Sequence, residues 1–133
     1  MSIREMVECG EISYDRECFL VKVTTPKVTK EDLAELLDAI SVVYAALDNP
    51  FDFVLDLYDY KSMPMSTSCY TSIIATFDKY HVVTEKLLRS TTIIIPSYLL
   101  QKSITYFFYY YRPLKPVFAY SSRDKLPKVH CSA

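Results

Sequence analysis

Three compact apolar runs between Phe51 and Tyr120 constrain this chain more than any other feature of it. They are Phe53-Val54-Leu55-Asp56-Leu57, Ser90-Thr91-Thr92-Ile93-Ile94-Ile95 and Lys115-Pro116-Val117-Phe118-Ala119-Tyr120. Short runs rich in β-branched or aromatic residues, alternating with amphipathic helical segments, are the pattern of strands buried beneath helices.

The clearest helix precedes the first run. Thr29 is a good N-cap, Asp32 sits three residues on in the capping-box position, and Glu31 suits the positive end of the helix dipole. Leu33, Leu36, Leu37, Ile40, Val43, Tyr44 and Leu47 follow at the three-and-four spacing of one face, until Asp48-Asn49-Pro50 stops the helix. A second helix is predicted from Ser66 or Thr67, with Tyr70, Ile73, Ile74, Phe77 and His81 facing inward, and it or a short successor from near Val83 runs to about Leu87. A third, capped by Ser97, carries Leu100, Ile104, Phe107, Phe108 and Tyr111 before Arg112-Pro113 ends it. Upstream, Glu11–Tyr14 and Cys18–Val23 read as a hairpin around Asp15-Arg16-Glu17. The expectation is a single α/β domain over residues 1–133, with a core at about 11–126. Its mixed sheet has about five strands, helices packed on it, and the order ββαβαβαβ with a possible last α.

Composition removes several function classes. Gly10 is the only glycine, which excludes glycine-rich phosphate loops and leaves later turns to Asn, Ser, Asp or Pro. No apolar run approaches the ~20 residues of a membrane span. The four cysteines lack zinc spacing and Met1-Ser2-Ile3-Arg4-Glu5 is charged, so reduced thiols and a cytoplasmic location are expected. Charge is lopsided: residues 1–60 hold 5 Lys/Arg against 13 Asp/Glu, and residues 61–133 hold 10 against 3, or −8 and +7. That separation suits docking on a charged partner or head-to-tail association. Late basic residues alternate with tyrosines, yet the overall charge of −1 argues against a nucleic-acid partner.

The element order, with a loop and then a helix after Val54-Leu55-Asp56-Leu57, resembles the STAS-like family of anti-sigma-factor antagonists and anion-transporter tails. The late segments Thr91-Thr92-Ile93-Ile94-Ile95-Pro96 and Arg112-Pro113-Leu114-Lys115-Pro116-Val117 look like those of the related CRAL-TRIO lipid-binding fold. The STAS resemblance implies a non-catalytic module that works by protein–protein contact, as a homo-oligomer or as a subunit of a larger assembly. The CRAL-TRIO resemblance implies a hydrophobic-ligand or lipid carrier as the alternative. STAS domains present a phosphorylatable serine at the start of the helix after the third strand. Here Ser66 or Thr67 takes that place, within Met63-Pro64-Met65-Ser66-Thr67-Ser68-Cys69, which lacks the family's Asp and Gly. A plain N-cap is the simpler role for either.

An enzyme would use the strand ends, where open α/β sheets bind ligands. A small hydrolase built on Asp59, Ser97 and Ser121 lacks a base, since His81 falls on a helix face, where a satisfied core histidine is the simpler reading. No catalytic residue, cofactor or metal is therefore expected. The aromatic run Tyr106–Tyr111 is the stronger candidate. Six consecutive aromatics cannot all face one core, and with Phe107, Phe108 and Tyr111 inward, Tyr106, Tyr109 and Tyr110 turn outward beside Arg112 as interface anchors.

Overall fold

The computed structural model describes residues 2–61, 67–95, 102 and 115–120. Their elements are β1 (Ile3–Val7), β2 (Gly10–Asp15), β3 (Cys18–Val23), α1 (Lys30–Ala45), β4 (Phe51–Asp56), α2 (Thr67–Lys79), α3 (His81–Leu87), β5 (Leu88–Ile94) and β6 (Val117–Tyr120). The six strands form one sheet in the order of the sequence. Antiparallel pairing joins β1, β2 and β3, and parallel pairing joins β3, β4, β5 and β6. The class is thus mixed α/β, with one strand more than expected. β1 carries Arg4 and Glu5 at alternate faces and has no apolar run; Ile3 and Val7 pack against the core, and pairing with β2 supplies the rest of its place.

The helices follow from local rules. Thr29 accepts from the Asp32 amide at 3.0 Å while the Asp32 carboxylate accepts from the Thr29 amide at 3.0 Å, closing the predicted capping box. Leu36, Leu37, Ile40, Val43 and Tyr44 are the buried stripe of α1. Fully burying each such side chain contributes roughly 1.5–3 kcal/mol. α1 packs over β1 and β2. Ile73 and Phe77 of α2 join the same core, as expected.

The continuation of that helix differs. Tyr80 leaves helical geometry (φ −108°, ψ 25°) and restarts the chain as α3, so Thr84 and, in part, Tyr80, Val83 and Leu87 turn inward. His81, expected on the inner face, is instead 54% exposed with Nε2 3.8 Å from Glu85 Oε2. The break re-phases the helical face by enough to carry it out to solvent.

α1, α2 and α3 lie on one face of the sheet. When strands add in one direction by right-handed crossovers, every crossover falls on the same side. The core agrees: Phe19, Phe51 and Phe53 from the strands share it with Tyr44 of α1 and Phe77 of α2, ring centroids 5.2–6.1 Å apart. The Tyr44 hydroxyl meets the Thr84 hydroxyl at 3.0 Å inside it. The single glycine has a specific place there. A Cβ on Gly10 would lie 2.0 Å from the Lys22 carbonyl oxygen across the β2–β3 ladder.

Candidate functional site

The carboxyl ends of the parallel strands are the first place to look for chemistry. Asp56 closes β4 at 2% exposure, and its carboxylate accepts the Tyr58 amide at 3.0 Å, which folds the chain into a turn directly after the strand. Asp59 follows in that turn. Ser97 and Ser121, the other members of the sequence-based polar set, lie outside the described residues. Among the described residues no group of three or more His, Cys, Asp or Glu could hold a metal ion.

The opposite ends of the strands carry an ionic clamp. Arg89 donates to Glu17 at 2.9 Å and to Asp52 at 2.9 Å, Ser90 donates to Asp52 at 3.1 Å, and the Asp52 amide donates to the Glu17 carbonyl at 2.8 Å. A register shift makes this possible. Phe51 opposes Leu88 and Asp52 opposes Ser90, so Arg89 is the extra residue of a bulge, and bulges re-aim side chains. Burial works against the Arg89 charge, but hydrogen bonds and charges from Glu17 and Asp52 outweigh it and raise its pKa. The clamp holds the β2–β3 turn to β4 and β5. That turn is the two-residue type whose central positions need positive φ; Arg16 has φ 51° and Glu17 φ 64°.

The back of the sheet, away from the helices, has its own apolar patch. Cys18, Val54 and Ile94 are buried there with Leu20 against them. Cross-strand register extends this layer along Leu20–Val54–Thr92–Phe118 and Lys22–Asp56–Ile94–Tyr120. Its central residues are well buried, with Ile94 at 0%, Val54 at 4% and Thr92 at 8% exposure. Phe118, on β6 at one border of the layer, is 48% exposed, and Met6 on β1 at the other border is 67% exposed. Neither stood out in the sequence. Alternation in a last strand, with Phe118 and Tyr120 on one side and Val117 and Ala119 on the other, was the available signal.

The cysteines differ by position. Cys9 is buried, and its thiol pKa is raised by desolvation and then by the neighbouring charges of Asp32, Glu35 and Glu8. Cys9 and Cys69 are thiols outside any disulfide. Cys18, against the expectation of reduced thiols, is disulfide-bonded, and its partner lies outside the described residues.

Thr67 opens α2, whereas Ser66 lies outside the described residues. Tyr106, Tyr109, Tyr110 and Arg112 lie outside them too, as does the rest of the expected third helix. Among the described residues no helix is long and apolar enough to cross a membrane. Comparison with family models, curated proteins and solved structures returns no match.

Proposed function

We propose that this chain is a STAS-like, non-catalytic module that acts by binding another protein. The observation that carries this reading is the exposure of large apolar side chains on the two outermost described strands. Met6 on β1 is 67% exposed and Phe118 on β6 is 48% exposed, at the two borders of a face whose central residues Cys18, Val54 and Ile94 are buried. Exposed large apolar side chains at the margins of a sheet suit contact with a partner surface. Tyr106, Tyr109, Tyr110 and Arg112 remain the contact residues proposed from sequence, with Ser66 or Thr67 as a weaker regulatory phosphorylation site.

The lipid-carrier alternative needs a hollow between helices and sheet. The rings of Phe19, Tyr44, Phe51, Phe53 and Phe77 occupy that space, so no observation favours it.

The test compares wild type with Tyr106→Ser/Tyr109→Ser/Tyr110→Ser by size-exclusion chromatography with light scattering and by partner recovery from extracts of the source cells. Loss of a stoichiometric partner in a variant that keeps its circular dichroism supports the reading. Unchanged mass and unchanged recovery refute the tyrosine interface.

A further inference from the structure

The two edges of the sheet are chemically unlike. β1 carries two charged residues within five, Arg4 exposed and Glu5 half-buried, whereas β6 reads Val117-Phe118-Ala119-Tyr120 and carries no charge. Charged side chains are a common means of keeping an edge strand from pairing, and β6 lacks them.

Backbone polarity at β6 can be assigned from its contacts with β5. Pro116 and Tyr120 carbonyls accept from the Thr91 and Ile95 amides at 2.9 and 2.8 Å, so the even-numbered residues point their backbone groups into the sheet. Neighbouring residues alternate, which leaves the amides and carbonyls of Val117 and Ala119 aimed away from β5, on the side where no described strand pairs with β6. Ala119 is exposed and Phe118 is 48% exposed.

We infer that β6 is the pairing edge for a second copy of this chain, joined antiparallel about a two-fold axis normal to the sheet. Such an axis keeps the helices of both copies on one side, so facing residues must share a face and therefore parity. The register centred on Phe118 satisfies this. Val117 then forms a hydrogen-bonded pair with the second copy's Ala119, and the reciprocal pair forms on the other side of the axis. Phe118 meets its own copy in the close, non-hydrogen-bonded position, where aromatic pairs are favourable. Pro116 faces the second copy's Tyr120. No like charges meet within the strand. Applied to β1, the same construction sets Glu5 against Glu5 in the central register and Arg4 against Arg4 in one of the two registers beside it, which is why the second copy is assigned to β6. One short strand buries less than a tight dimer requires, so association is weak and depends on concentration.

The inference stands on β6 alone and goes beyond the tyrosine interface; the tyrosine triple variant leaves it intact. Sedimentation equilibrium of the full chain, at rising concentrations into the hundreds of micromolar, is expected to move the mass from 15.4 kDa toward twice that value. Phe118→Lys, which sets two charges at the axis on an already exposed side chain, and Ala119→Pro, which deletes an outward amide outside the β5 ladder, are each expected to keep it at 15.4 kDa. Because the chain has no tryptophan, Phe118→Trp supplies a single indole at the axis that can be excited apart from the tyrosines, and its emission is expected to shift blue as association proceeds. A wild-type chain that stays monomeric at every concentration overturns the proposal and leaves the edge to a strand from a different protein. Association undiminished in both the lysine and proline variants overturns it equally.

Discussion

The β2–β3 turn offers the sharpest test of how this chain manages with one glycine. A two-residue turn of this kind favours Asn-Gly, yet Arg16 and Glu17 hold the left-handed conformation at φ 51° and 64°. That conformation costs a side chain with a Cβ about 1–2 kcal/mol per residue, and asparagine much of that less. Arg16 has no hydrogen bond or ion pair among the described residues, so Arg16→Asn is expected to stabilise by about 0.5–1 kcal/mol. Glu17 is different. Glu17→Gly relieves similar strain, gives back about 0.5–1 kcal/mol through the freer unfolded chain, and loses a half-exposed pair with Arg89 worth about 0.2–1 kcal/mol. The effects nearly cancel, so its stability should stay close to that of wild type. Urea unfolding followed by circular dichroism measures both. With a slope of about 1–3 kcal/mol per molar, Arg16→Asn should raise the midpoint by about 0.2–1 M with the slope unchanged. A lowered or unmoved midpoint for Arg16→Asn would refute the strain argument. A large loss in Glu17→Gly would show that the clamp outweighs the turn.

Gly10→Ala places a Cβ against the Lys22 carbonyl, a backbone atom that moves only with the ladder, and should cost about 1–3 kcal/mol in the same assay. Tyr44→Phe removes the buried hydroxyl pair with Thr84 and should cost about 1 kcal/mol while leaving the far-ultraviolet spectrum unchanged. Cys9 should resist an aromatic disulfide reagent in the native state while Cys69, only partly covered, reacts quickly, with mass spectrometry assigning the labelled site. The raised pKa values of Cys9 and Tyr14, both caused first by burial, stabilise the folded state below their ordinary pKa values. That contribution fades as pH climbs through those values toward the folded ones, so the unfolding midpoint should fall on the alkaline side, with a shallower fall in Cys9→Ala.

Much of this was legible in one dimension. The capping box at Thr29, the buried stripe from Leu36 to Tyr44 and the strand at Phe53 depend on neighbours within a turn or two, and those interactions are written in residue spacing. The hairpin could be placed for the same reason, although its turn is a residue shorter than Asp15-Arg16-Glu17 suggests. Other features depend on partners far along the chain. β1 shows no strand-like run and is drawn into the sheet by β2. His81 left the inner face because the chain breaks at Tyr80, which periodicity alone does not locate. Leu88 and Ile93 share one face despite opposite parity, because the bulge at Arg89 inserts a residue between them. The candidate site was the less legible part: spacing drew attention to aromatic side chains, whereas edge pairing is a property of backbone groups.

By itself, then, the sequence determined α1 with its cap and apolar stripe, the β2–β3 hairpin and the strands β4, β5 and β6, since propensity, capping and alternation act over a few residues. Only the tertiary structure decided the strand order, the face that carries α1, α2 and α3, the salt-bridged joining of Glu17 to Arg89 across 72 residues, and that the last described strand of the sheet carries no charge. Those outcomes depend on which distant backbones pair, and residue spacing carries no record of that choice.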